Sequence, residues 1–311
     1  MNFELDDDQR EILSAVNALL ERHAGPARAT ELAHKDEYDH RLDTALAEAG
    51  FDEAIDPLNL EGALETTLII EAVARAAGVT SFPAHALVAR AVAGRALPGP
   101  VALGSGDLET PIRFGAHAHS LLFLAGGEAR LARLEVGDAE PIASNFGYPF
   151  GRVSPQAISR SESVGPQSGE RLRNWWRIAV AAEAVGTMSG ALDQTVAYLK
   201  DRKQFGVAIA SFQAVQHRLA DCAVRVEGSR LLVYEAAYHH APEEASACAA
   251  AYALESARQL FRETHQLSGA IGFTREHSLH AWSMRLHALG TELSGVSGHR
   301  RALATARWGS R

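Results

Sequence analysis

A short turn between two helical segments constrains this chain more than any other stretch. Two series of apolar residues flank it at helical spacing, namely Val185, Met188, Leu192, Val196 and Leu199, then Phe212, Val215, Leu219, Cys222 and Val226. The turn itself carries Arg202, Phe205 and Gly206. Arg202 offers a planar set of donors suited to phosphate, Phe205 a flat face, and Gly206 the freedom to leave the helix. The pattern predicts two helices joined by a ligand-contacting turn.

Each of these residues has a structural alternative when it is taken alone. Arg202 would then stabilise the C-terminus of its helix, Phe205 would fill the core, and Gly206 would end the helix. These alternatives become less attractive because all three residues occur together, with Gln213 opening the next helix.

Composition sets broad limits on the class of protein. The 311 residues have 47% hydrophobic and 22% charged content, which is typical of a globular protein. A net charge of -8 predicts neither a nucleic-acid partner nor a membrane partner. The acidic start and the lack of a long apolar run predict a cytoplasmic location. The two cysteines, Cys222 and Cys248, are expected to be reduced core residues, and the scattered histidines predict no metal site.

The chain reads as three successive parts, mainly α with a small β insert. Residues 1–97 predict an N-terminal helical domain, in which Asp6 and Gln9 have the spacing of a capping box. Residues 98–168 predict a short β domain with a hairpin at Gly126-Gly127, followed by a linker over 154–169. Residues 169–311 predict a C-terminal helical bundle, with Pro242 in the first turn of one helix.

The turn resembles the flavin-contacting turn of the acyl-CoA dehydrogenases, which reads Arg-x-x-Phe-Gly, then Phe-Gln, then Gln-x-x-Leu-Ala-Asp. A second run, from Gln266 to His277, is similar to that family's Gln-x-x-Gly-Gly-x-Gly-Phe-Thr-x-Glu-His. The opening, Met1 to Leu5, also resembles the family's usual start. In the family both turns embrace the adenine and diphosphate of an FAD held chiefly by the neighbouring subunit.

The resemblance implies the same order of parts and a set of FAD contacts. These are Arg202, Phe205, Gln213, Gln266, Gly269 and Gly272. Arg202 would pair with the diphosphate, the glycines would let backbone donors approach, and the glutamines would bond adenine or ribose. Ala270 replaces a family glycine, which is tolerable if its backbone is not left-handed.

Three departures from the family pattern change the expected function. The middle domain is short and lacks the flavin-lining Thr-Glu-Pro-x-x-Gly-Ser-Asp signature, of which Gly104 to Asp107 is at most a remnant. The catalytic glutamate of the family falls on Leu293 or Trp176, and neither can abstract a proton. Glu292 and Glu183 lie nearby, so they remain alternative bases. The C-terminal end, from Leu289 onward, resembles a subfamily found in bacterial degradation of steroid side chains.

That subfamily divides the enzyme between two unlike chains in an α2β2 assembly. The resemblance implies that this chain is the short subunit, which completes the FAD site of a larger homologous partner and supplies no catalytic residue. The implied reaction is α,β-dehydrogenation of a bulky steroid side-chain acyl-CoA, with an electron-transfer flavoprotein as acceptor. Two alternatives remain open: a structural subunit without cofactor contact, and a self-sufficient homodimeric dehydrogenase that uses Glu292 or Glu183.

Overall fold

The computed structural model describes residues 4–106, 108 and 110–309. The opening motif from Met1 to Phe3, and Asp107 of the possible signature remnant, therefore lie outside the described residues. The chain folds into helices, a small β insert and further helices, as the sequence predicts. The division at residues 97 and 168 itself stays a prediction.

The N-terminal part is helical, and its first helix starts as predicted. The side chain of Asp6 accepts a hydrogen bond from the backbone N–H of Gln9 at 2.8 Å, and the Gln9 side chain accepts one in return. This capping box satisfies two donors at the helix start. The helices are α1 (Asp7–His23), α2 (Pro26–Lys35), α3 (His40–Glu48), α4 (Ala63–Arg75) and, after a π-helical segment (Pro83–Ala89), α5 (Arg90–Ala93).

The β insert forms two small sheets. Their strands are β1 (Val101–Ser105), β2 (Ile112–Arg113), β3 (Ser120–Ala125), β4 (Glu128–Arg133), β5 (Ala139–Ile142), β6 (Phe150–Val153) and β7 (Glu162–Ser163). The sheet orders are β1-β3-β4-β7 and β2-β6-β5. The predicted hairpin is confirmed, because β3 and β4 pair antiparallel around Gly126 and Gly127, both of which have positive φ.

The predicted linker over residues 154–169 is wrong in part. Ser154 caps a short helix, α6 (Pro155–Ser159), and β7 then pairs with β4 at Arg130 and Leu131. No periodicity is visible over these residues because elements of five and two residues are too short to display one. The β insert therefore includes most of this stretch.

The C-terminal part is built around one long helix, α7 (Ser168–Asp201), which is buried along most of its length. A hairpin of β8 (Lys203–Gln204) and β9 (Val207–Ala208) follows it. The remaining helices are α8 (Gln213–Tyr238), α9 (Glu243–Ser268), α10 (His280–Leu289) and α11 (Gly295–Trp308). Helix α7 touches α4 closely, since a Cβ added to Gly186 would lie 2.1 Å from the carbonyl oxygen of Glu71.

Three smaller expectations have mixed outcomes. Pro242 precedes its helix as the N-cap instead of lying inside the first turn. Both cysteines are free, and Cys222 is buried as expected, but Cys248 on α9 is only half-buried and is not a core residue. Within the described part of the chain, no helix has the length and apolar character to cross a bilayer.

Candidate functional site

The first predicted turn projects from the end of α7 as a two-residue hairpin loop. Arg202 is the C-cap of α7, and its N–H donates to the carbonyl oxygen of Tyr198 at 2.9 Å. Phe205 and Gly206 both have positive φ, at 55° and 84°. Such a loop matches the twist of a hairpin, but it strains a bulky residue at the first position. Strain of this kind is typical of functional positions.

The exposure of this turn rules out a core role for Phe205. Its side chain is 93% exposed, and its ring meets that of Phe212 edge-on, with centroids 6.2 Å apart. The structural alternative for this residue is therefore wrong. Arg202 is also exposed and forms no ion pair within the described ranges, so its guanidinium is available for an external anion.

The second predicted turn needs glycine at the two positions that match the family. Gly269 ends α9 with φ 66° and ψ -150°, a conformation that is essentially confined to glycine. A Cβ at Gly272 would lie 2.8 Å from the Cβ of Ser268. Ala270 does not have positive φ, so the methyl group that replaces the family glycine is tolerated.

The two turns border a shared cleft. The ring of Tyr198, near the end of α7, lies 5.0 Å from the ring of His277, which ends the second run. Both residues, with Arg202, line an open cleft of 390 Å³. Gln213 and Gln266 are exposed at the start of α8 and near the end of α9. The described coordinates contain no hydrogen bond among the six predicted cofactor residues, which therefore form a surface and not an enclosed pocket.

A buried ion cluster lies deeper, between the β insert and the bundle. Arg113 donates two parallel hydrogen bonds to Glu183, at 2.6 and 2.8 Å. Its Nε donates to Glu292 at 2.7 Å, and the indole N–H of Trp176 donates to the other oxygen of Glu292. The side chains of Arg113, Glu183 and Glu292 are at most 12% exposed. A narrow cavity of 20 Å³ lies beside these three side chains, and a more open cleft of 310 Å³ borders Arg113, Trp176, Glu292 and Leu293.

A second guanidinium balances the charge of this cluster. Tyr148 lies between Arg113 and Arg285, each with its guanidinium carbon 4.9 Å from the centre of the ring. Two arginines thus face two glutamates, and the four charges sum to zero. Burial raises the pKa of Tyr148 to about 12. Burial also raises the pKa of Glu292, with a further contribution from Glu183, while Arg113 opposes the rise.

The ion cluster holds both alternative bases, Glu183 and Glu292, in ion pairs. The carboxyl groups of Glu183 and Glu292 are both paired with Arg113, although an open cleft reaches Glu292. The backbone of Leu293 and Ser294 has positive φ at 50° and 67°, so the segment that the family pattern singles out is strained. In this arrangement neither glutamate is an unpaired base.

Sequence reasoning missed Arg113, Tyr148 and Arg285. The cluster joins β2, the loop before β6, α7, α10 and the segment before α11, so its members are far apart in the chain. An arginine between Ile112 and Phe114 was the only local signal, and it does not identify a partner.

None of the described His, Cys, Asp and Glu side chains form a group that could hold a metal ion.

Helices, a small β insert and a helical bundle that carries two glycine-bearing turns are the arrangement of the flavin-dependent acyl-CoA oxidoreductases. The model of the acyl-CoA dehydrogenase C-terminal domain matches residues 170–307. The acyl-CoA dehydrogenase IpdE2 of Mycolicibacterium smegmatis is 30% identical over 297 residues, which cover 90% of this chain and 93% of IpdE2. The chain belongs to the acyl-CoA dehydrogenase family, whose members are FAD-dependent oxidoreductases that act on acyl-CoA.

Other comparisons differ in how much of each protein they cover. The acyl-CoA dehydrogenase FadE34 of Mycobacterium tuberculosis is 36% identical over 163 residues, but this chain spans only 23% of the length of FadE34. The ChsE4-ChsE5 complex of M. tuberculosis has the same fold, with a TM-score of 0.81 at 18% identity and full coverage of both chains. A variant of the Tcur3481-Tcur3483 steroid ACAD has a TM-score of 0.79 at 22% identity, covering 96% and 97% of the two chains.

Proposed function

We propose that this chain is the short subunit of a two-chain, FAD-dependent acyl-CoA dehydrogenase. It would complete the FAD site of a larger homologous partner, and the partner would supply the catalytic glutamate. One observation carries the proposal. Glu183 and Glu292, the two carboxylates that could act as the base, are both paired with Arg113, whereas both flavin-type turns remain exposed at the surface.

The exposed turns have donors and shapes that fit the adenosine diphosphate part of FAD. Arg202 would bind the diphosphate, and the open space beside Gly269 would admit it close to the backbone. Phe205 would present a flat face, and the amides of Gln213 and Gln266 would bond adenine or ribose, while Gly272 shapes the turn. The flavin, when bound, accepts the hydride from the β carbon of the thioester.

The substrate and the partners follow from the same reasoning. A chain whose two candidate bases are both paired with Arg113 needs a second chain that supplies the base. The likeness to the two-chain ChsE4-ChsE5 complex and to a steroid ACAD supports an α2β2 assembly and a bulky steroid side-chain CoA ester. An electron-transfer flavoprotein is the proposed acceptor of the electrons.

The two alternatives predict different properties. A purely structural subunit would leave Arg202 without a role in flavin binding. A self-sufficient homodimer would carry flavin alone and would need Glu292 or Glu183 to leave Arg113. The pairing of both glutamates with Arg113 disfavours the second alternative, and the strained, exposed Phe205 disfavours the first.

The test is a visible absorbance scan across the flavin bands. We expect flavin in the complex of this chain with its partner and none in the chain purified alone. Within the complex, Arg202→Ala should lower flavin retention at least tenfold, and Lys203→Ala, which removes the neighbouring exposed charge, should not. Unchanged flavin content in Arg202→Ala would contradict the proposed site, and flavin in the lone chain would favour the homodimer.

A further inference from the structure

A separate cleft of 620 Å³ opens where the N-terminal helices, the β insert and the bundle meet. Its walls come from α2, the loop between β5 and β6, the end of α9 with the turn after it, and α10. Small-molecule sites typically measure roughly 300–1,000 Å³. Of the six residues proposed to contact FAD, only Gly272 lies on this wall. Phe273, Thr274 and Arg275 of the second flavin-type turn also line it, so the cleft adjoins the flavin surface but contains neither Arg202 nor either glutamine.

One wall of the cleft is a row of rings. The His265 ring lies 4.3 Å from that of Phe261 and 4.7 Å from that of Phe273. Phe273 ends the row and is 74% exposed, although it faces a concave surface. His265 is 5% exposed, and neither of its ring nitrogens has a hydrogen-bond partner among the described residues. The row offers a stacking surface for a flat ring system.

Basic groups on the wall outnumber acidic ones. Arg275 has a single weak hydrogen bond, to Asn145 Oδ1 at 3.3 Å, and no ion pair within the part of the chain that the structure describes. Arg285 is 1% exposed, and its Nε and Nη2 have no hydrogen-bond partner there. Asp36 is the one carboxylate on the wall. Unused donors on a basic wall favour an anionic ligand.

We propose that this cleft binds a small ligand with a flat apolar ring system and one acidic group, a carboxylate or a phosphate. The ring would stack on Phe273, and the acidic group would bind Arg275 beside Asn145. Unlike the FAD surface, which completes the site of another chain, this site is made entirely by one chain. It adds a ligand to the proposed function and does not depend on it.

The test is calorimetric titration of the full chain, in the state in which it purifies, with three probes of one ring size. The probes are 2-naphthoate, 2-naphthyl phosphate and the uncharged 2-naphthylmethanol. We expect at least one acid to bind at least tenfold more tightly than the alcohol. The tighter acid identifies the carboxylate or the phosphate as the natural group. Absence of saturable binding by both acids, or equal binding of the alcohol, would overturn the proposal.

Variants locate the ligand within the cleft. Arg275→Ala should weaken acid binding at least tenfold, and Phe273→Ala should weaken binding of all three probes, because both side chains are exposed and dispensable for folding. Arg301→Ala, an equal loss of charge on α11, should have no effect. Arg202→Ala should also bind the acids like the wild type, even if it loses flavin. Loss of acid binding in Arg202→Ala would mean that the probe occupies the flavin surface, and would refute the separate site.

Discussion

The indole N–H of Trp176 donates a hydrogen bond to the carboxylate of Glu292. Trp176 stands at one of the two chain positions where the family pattern allows a catalytic glutamate, and Glu292 is the neighbour of the other, Leu293. The two positions thus meet at one point in space, as expected if they serve the same substrate carbon in different family members. In this chain that point is occupied by a tryptophan and a paired carboxylate.

Glu292→Gln should therefore leave the turnover number of the complete enzyme within about twofold of the wild type. It should also lower the free energy of unfolding by about 1–3 kcal/mol, because Arg113 loses one charged acceptor in a buried place. Steady-state kinetics and chemical denaturation measure the two effects. A loss of turnover above a hundredfold in a folded Glu292→Gln complex would make this residue the base.

Arg113 should be the most sensitive member of the cluster. Arg113→Met would leave Glu183 and Glu292 side by side and unpaired, at a cost of about 3–5 kcal/mol in unfolding free energy. Replacing all four charges together, with Arg113→Met, Arg285→Met, Glu183→Leu and Glu292→Leu, should recover most of that loss, since no isolated charge then remains. Denaturation midpoints of the single and quadruple variants provide the comparison. A quadruple variant as unstable as Arg113→Met would contradict this account.

Local patterns explain why the sequence predicted the turns. Arg202, Phe205 and Gly206 lie within one short run, and the periodic helices on both sides fix where the run must lie. The same applies to Gly269 and Gly272, whose backbone demands are local. The capping box at Asp6 and the hairpin at Gly126 also depend on neighbours within a few residues. Such features can be predicted before any tertiary contact is known.

The ion cluster could not be predicted in the same way. Arg113 and Glu292 are 179 residues apart, and their pairing follows only from how the β insert docks on the bundle. Spacing identified Glu183 and Glu292 as carboxylates near the expected site. It did not reveal that Arg113 pairs with both of them, which is the basis for proposing that they are structural groups and not bases.

Phe205→Ala should separate stability from cofactor binding. The side chain is 93% exposed, so its removal should change the unfolding free energy of the chain by less than about 0.5 kcal/mol. The substitution should not relieve the backbone strain at this position, because alanine is also disfavoured at positive φ. If the ring contacts FAD, the complex should retain flavin at least fivefold less well. Val224→Ala removes another exposed apolar side chain, from α8, and serves as the control. Equal flavin loss in both variants would point to a general interface effect.

His299 should make the protein sensitive to acid. The residue is fully buried behind Glu292, and burial, with Arg177 nearby, lowers the pKa of His299 from 6.5 to about 4. The unfolded chain therefore binds a proton at higher pH than the folded chain. The contribution of neutral His299 to the free energy of unfolding is fully present above pH 6.5. It is lost as the pH falls towards 4, by about 3 kcal/mol at most. His299→Gln should reduce this slope, to which His265 and His277 also contribute because burial lowers their pKa values, whereas His217→Gln, at an exposed position, should leave it unchanged. Urea denaturation between pH 7 and pH 4.5 measures the difference, and parallel curves for wild type and His299→Gln would show that His299 is not the group responsible.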